Sequence, residues 1–176
     1  MPRRATSASY RWLVALLAAL LVWSPGCGYT VSSVLPSYIR TIAIPTFANN
    51  TVEHALADDI TQALINSFLA DRRLRLERER DADAVLRATV LSYRNRVYAY
   101  TSQEVATQYE ILLTMKVSLH DQVKNREIWK EDALTVRTTY NVVPVGSEPA
   151  KTEVDGRKDL IQKLADQIVS RTVQGW

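Results

Sequence analysis

Apolar and polar positions alternate most regularly between Gln108 and His120. Tyr109, Ile111, Leu113, Met115, Val117 and Leu119 fall on one side of a period-two pattern, and Gln108, Glu110, Thr114, Lys116, Ser118 and His120 on the other, with Leu112 the single exception. This predicts a long strand with one dry and one wet face. Ala84 to Tyr100 starts apolar, with Val85, Leu86, Ala88, Val90 and Leu91, and ends basic and aromatic. Glu127 to Tyr140 sets Leu134, Val136 and Tyr140 on one face, after a hairpin turn at Lys124-Asn125. The β-branched run Ile39 to Ile44 predicts a buried strand, Leu74 to Glu77 a short one, and Phe47 to Thr51 and Arg78 to Asp83 turns. Between Glu53 and Asp71 the period changes. Leu56, Ile60, Ala63, Leu64 and Phe68 share one helical face, and Asp58 and Asp59 sit near the start, where the helix dipole favours them. Asn50 and Glu53 have the spacing of an N-cap and its capping-box partner. A loop with Pro144, Gly146 and Pro149 precedes a second helix, Thr152 to Val173, whose apolar face is Leu160, Ile161, Leu164, Ala165 and Ile168. One-sided strands and one-sided helices pack in two layers. The predicted fold is α+β: a two-layer sandwich, two helices on one face of a four- to five-stranded, mostly antiparallel sheet.

The N-terminus follows another pattern. Arg3, Arg4 and Arg11 precede the apolar run Trp12 to Trp23, which Ser24-Pro25-Gly26-Cys27 ends. A basic start, a short apolar run and small residues before a cut describe a signal peptide over residues 1–26. The run is shorter than the ~20 apolar residues that a spanning helix needs. Cys27 is the only cysteine, and Gly26-Cys27 at this place resembles the lipobox of bacterial lipoproteins, although Ser24 stands where Leu or Val is usual. That resemblance implies cleavage before Cys27 and acylation of its sulfur. Gly28, in place of a retaining Asp, implies sorting to the outer membrane. Ordinary signal cleavage nearby, with Cys27 a free thiol, and an uncleaved anchor are the alternatives. Residues 27–38 then form a lipidated tether and 39–176 a single domain.

Removing the leader changes the charge. The whole chain has 22 Lys+Arg against 19 Asp+Glu and a pI near 9.1. Three of the cations are in the leader, which has no acids, so 19 face 19 in the mature part and no general field for nucleic acid remains. No glycine lies between Tyr29 and Val145, which excludes a phosphate-cradling loop. His54 and His120 have no metal-ligand or triad pattern around them, and Asp58 and Asp59 point about 100° apart on a helix. The expectation is a protein that is not an enzyme and holds no cofactor or metal. Two features are candidate contacts, the first for an anionic amphiphile or a partner surface and the second for a ligand. Arg94, Arg96, Tyr98 and Tyr100 share strand parity, and Lys151 precedes the last helix.

Several segments together resemble the LptE family of lipopolysaccharide-assembly lipoproteins. They are Cys27-Gly28-Tyr29, the first strand and turn from Leu35 to Thr51, the lead Asp81 to Leu86, and Gln108 to Val117. The resemblance implies two helices against a mostly antiparallel sheet. It implies an outer-membrane lipoprotein on the periplasmic side, acting as plug and assembly partner of an LptD-like β-barrel that delivers lipopolysaccharide to the outer leaflet. Some members bind lipopolysaccharide through basic loop residues at one end of the sheet. Lys151 lies at a matching place, whereas the loop Thr101 to Thr107 has no Lys or Arg, and Arg94 and Arg96 stand as further candidates. The first-strand pattern also occurs in envelope lipoproteins of secretion and exopolysaccharide-export pores, so a ring-forming lipoprotein is the alternative.

Overall fold

The computed structural model describes residues 35–174. The leader, Cys27 and most of the tether lie outside them. The elements run β1 (Thr41–Ala43), β2 (Ala48–Asn49), α1 (Leu56–Asp71), β3 (Arg75–Leu76), β4 (Ala84–Tyr100), β5 (Ala106–Asp121), β6 (Arg126–Asn141) and α2 (Glu153–Gln174). The sheet order is β3-β1-β4-β5-β6, with β2 also paired to β4. This is the expected α+β sandwich, with one added strand and a mixed sheet. β4, β5 and β6 form an antiparallel meander, while β3 to β1, β1 to β4 and β2 to β4 run parallel.

The core lies between the sheet and the helices. Ile111, Leu113, Met115, Val117 and Leu119 of β5 are fully buried and meet Leu56, Ile60, Leu64 and Phe68 of α1 and Leu160, Leu164 and Ile168 of α2 in one cluster. Each such side chain contributes roughly 2 kcal/mol of burial free energy. The alternation of β5 survives almost intact, and the out-of-pattern Leu112 is half-buried on the opposite face.

Two local expectations change. Asn50 does not cap α1. Its backbone N–H donates to the carbonyl of Val90 as a continuation of β2. Asn49 organises the bend instead, accepting from the Thr51 N–H at 2.9 Å and donating to the Glu53 carbonyl at 2.8 Å. The helix therefore begins at Leu56, after Ala55, with no side-chain cap. α2, by contrast, has its start fixed by Thr152 and Asp155, which exchange hydrogen bonds of 2.7–3.3 Å.

β4 carries two irregularities that the sequence pattern hides. Val90 pairs with Met115 but Ser92 pairs with Thr114, so Leu91 is an extra residue; a second shift follows Val97. Each extra residue reverses the in-out parity beyond it. Before Leu91 the even positions (Ala84, Leu86, Ala88, Val90) join the main core; after it Tyr93 and Asn95 reach the helix layer.

Candidate functional site

The bulge at Leu91 positions the candidate site. Without it Arg94 and Arg96 would have the parity of Val90 and point into the core. With it they emerge on the sheet face that no helix covers, opposite Leu112 and Glu110. Register extends the row to β6, where Arg137 pairs with Leu112 and Thr139 with Glu110. Arg94 and Arg137 thus flank Leu112, their backbones about 10 Å apart across two strand spacings. Both are exposed, and neither has an ion-pair partner among the described residues. Two guanidinium groups at this spacing can converge on one phosphate or carboxylate.

Arg96 is differently placed. Its Nε and Nη2 donate to Oε2 of Glu110 at 2.9 and 2.6 Å. Glu110 is 4% exposed although it belongs to the polar face, because Arg96 covers it. This cation is paired one to one with a buried carboxylate. Beside it Tyr98, Glu110, Arg137, Thr138, Thr139 and Lys163 line a shallow hollow of about 450 Å³. Lys163 reaches round the sheet edge from α2, its ammonium donating to the Arg137 carbonyl at 3.1 Å.

The whole uncovered face leans positive. Arg87, Arg94, Arg96, Lys116, Lys130 and Arg137 stand against Glu110, Asp132, Glu79, which pairs with Arg87, and, at one end, Glu127. Lys130 and Lys116 both reach Asp132, at 3.1 and 3.3 Å, and Lys130 above all holds its carboxyl below the usual range. The neutral total of the mature chain conceals this sorting of charge between faces.

Of the other expected residues, Lys151 lies elsewhere. It sits on the helix layer, its backbone N–H donating to the Asn141 carbonyl and its ammonium bonded to Asp159 at 2.6 Å. Asp159 raises its pKa. The structure does not bring Lys151 together with Arg94 and Arg96. Tyr98 shares their face, while the second irregularity of β4 takes Tyr100 out of the stripe, where it pairs with Ala106. Arg137 and Lys163 escape sequence reading because only the register of β5 with β6 and the path of α2 reveal them. His54 is exposed, and His120 bonds Asn125 at 3.1 Å. Among the described residues no group of His, Cys, Asp or Glu has a metal-binding arrangement.

Residues 39–172 match the family model described as LptE, lipopolysaccharide-assembly. The chain belongs to the LptE family. No curated protein matches it at a significant level. Among solved structures it is similar to a DUF330-family protein from Xanthomonas campestris (9% identity, TM-score 0.57, covering 78% of this chain and 86% of that one). It is also similar to a minor lipoprotein from Acinetobacter baumannii (22% identity, TM-score 0.50, 78% and 92%). At these identities the likeness shows the fold alone. A PelC dodecamer from Paraburkholderia phytofirmans aligns at 16% identity and TM-score 0.46 over 71% and 85% of the two chains, too low to bear on assembly. Among the described residues of this LptE-family chain, no helix is long and apolar enough to cross a membrane.

Proposed function

We propose that this protein is an outer-membrane lipoprotein, held on the periplasmic side by acylated Cys27. In this reading it acts without catalysis as plug and assembly partner of an LptD-like β-barrel in lipopolysaccharide transport. Membership of the LptE family supports the lipopolysaccharide role. A plug in a polar lumen needs a core that closes without the barrel and a wet surface facing it. Here the two helices close the core on one side of the sheet, and the other side is polar.

The observation that carries the lipid part is the row Arg94–Leu112–Arg137: two unpaired guanidiniums around one apolar residue, beside Arg96 and Tyr98. Such a surface suits a phosphorylated, acylated glycolipid, whose phosphates take the arginines while Leu112 and Tyr98 meet less polar parts. Lys151, tied to Asp159, is kept as a separate and weaker candidate contact.

A mild-detergent pull-down of the full-length tagged protein tests the partnership. One large outer-membrane barrel in near-equal amount is the expected result; a homo-oligomeric ring without a barrel would shift the reading to an export-pore lipoprotein. For the lipid contact, Arg94→Asp with Arg137→Asp should weaken lipopolysaccharide binding about tenfold or more, the loss of charge-assisted hydrogen bonds worth at least ~1.5 kcal/mol. Unchanged binding in the folded variant moves the contact away from this face.

A further inference from the structure

We propose that the end of the domain nearest its anchor is a phospholipid-facing surface, on which Arg40, Arg72, Arg75 and Lys124 meet lipid phosphates and Val123 enters the headgroup layer. The proposal shares with the function above only the acylation of Cys27.

Register places these residues together. Arg75 pairs with Thr41, next to Arg40; Ile42 pairs with Ala84, Ala84 with Asp121 and Asp121 with Arg126. Five strand ends therefore form one row, about 19 Å long over four strand spacings. Arg72, which ends α1, and the turn that carries Val123 and Lys124 stand at the two sides of this row. Val123 is 60% exposed. The chain arrives from the tether at the same place. Tyr38 donates to Asp121 at 2.5 Å, and the Lys124 ammonium lies 4.5 Å from the Tyr38 ring centroid.

Three acids of this end turn away from solvent, and two more in the adjoining loop, Glu79 and Asp81, are exposed but paired, with Arg87 and with Arg78 and Arg80. Asp83 accepts the backbone N–H groups of Arg40 and Thr41 at 2.8 and 2.9 Å. Asp121 is fully buried and accepts from Tyr38, Arg126 and the N–H groups of Val123 and Lys124. Asp71 holds Arg73. Glu77 and Glu127 stay exposed, while Arg40, Arg72, Arg75 and Lys124 are exposed cations with no ion-pair partner among the described residues. Arg72 also has φ of 63°, at a helix end that glycine commonly fills without cost.

Chain length fixes which end faces the leaflet. Seven residues lie between Cys27 and Leu35, eight steps of chain that span at most roughly 28 Å. β4, with 17 residues, is about 55 Å long. The tether thus keeps the cationic end close to the membrane, and the end with Lys151 far from it. An acyl anchor and a basic surface together give firmer attachment than either alone.

Vesicle sedimentation of the mature Cys27→Ser chain, which carries no lipid, tests this. Vesicles of phosphatidylethanolamine with phosphatidylglycerol should bind it more than pure phosphatidylcholine vesicles, and added salt should release it. Arg40→Gln with Arg72→Gln and Arg75→Gln should lower that binding about tenfold or more, whereas Lys158→Gln, an exposed cation of α2, binds as the parent does. Circular dichroism verifies that both variants are folded. Equal binding to both vesicle types, an unaffected triple variant, or an equal loss with the Lys158 variant would each overturn the proposal. The assay contains no barrel and the protein carries no acyl chain, so its outcome is independent of the pull-down.

Discussion

At Gly156 a hydrogen occupies the place where a methyl group would press on an aromatic ring. A Cβ there would lie 2.6 Å from Cδ1 of Tyr140 and 3.2 Å from Cδ1 of Ile111. The ring has no room to move, since it stacks on Tyr109 at 5.7 Å and its hydroxyl accepts from Asn95. In an open helix Gly→Ala would stabilise by about 1 kcal/mol; here overpacking costs about 1–3 kcal/mol. Gly156→Ala should therefore lose on the order of 1 kcal/mol or more in urea unfolding, and a gain would mean that the ring can yield. Nothing in the one-dimensional pattern announces this residue, because the contact joins positions that only the packing of α2 on β6 brings together. Leu113 and Leu160, by contrast, are legible from spacing alone.

At the scale of elements, β5 was fully readable and β4 only half so. An unbroken alternation reports its own faces, while a bulge resets the parity without leaving a polar or glycine mark. Strand parity singles out Arg94 and Arg96 as one stripe, but the reason they face solvent is the bulge at Leu91. The helix layer is pinned to β4 just beyond that bulge. Tyr93 donates to Glu153 at 2.9 Å, and Arg157 lies over its ring while pairing with Glu53 and Glu153 at 3.3 Å. Burial, then the bond to Glu153, pushes the Tyr93 phenol up to about 12. A raised folded value favours the protonated form, so this stabilisation is complete below the free value of about 10 and is lost as pH rises through about 12. Tyr93→Phe should cost roughly 1–2 kcal/mol near neutrality and should flatten the alkaline loss of stability in that window. Melting curves across alkaline pH check both, and an identical alkaline slope would remove Tyr93 from its cause.

For the molecule as a whole, the parallel half of the sheet depends on two carboxylates at one end. The Arg40 N–H, with help from Thr41, holds the Asp83 carboxyl below the usual range. Burial pushes Asp121 up, but Tyr38, Arg126 and two backbone N–H groups outweigh it, so its value is lowered too. Lowered values mean stability that is present above the free value of about 4 and is lost as pH falls below it. Asp83→Asn should lower the melting temperature at neutral pH and leave a shallower decline below about pH 4; an unchanged acid limb would assign that decline to other groups. The same end has a mechanical consequence. A pull on the N-terminal chain reaches the fold at Tyr38 and then at β1, which lies between β3 and β4 with both neighbours parallel to it. Force along the strand therefore loads the ladder bonds on both sides in shear, so that they must break together. Asp83 and Asp121 add cross-links at the point of loading. Tension entering from the N-terminal chain is in this way transmitted through β1 rather than unzipping it.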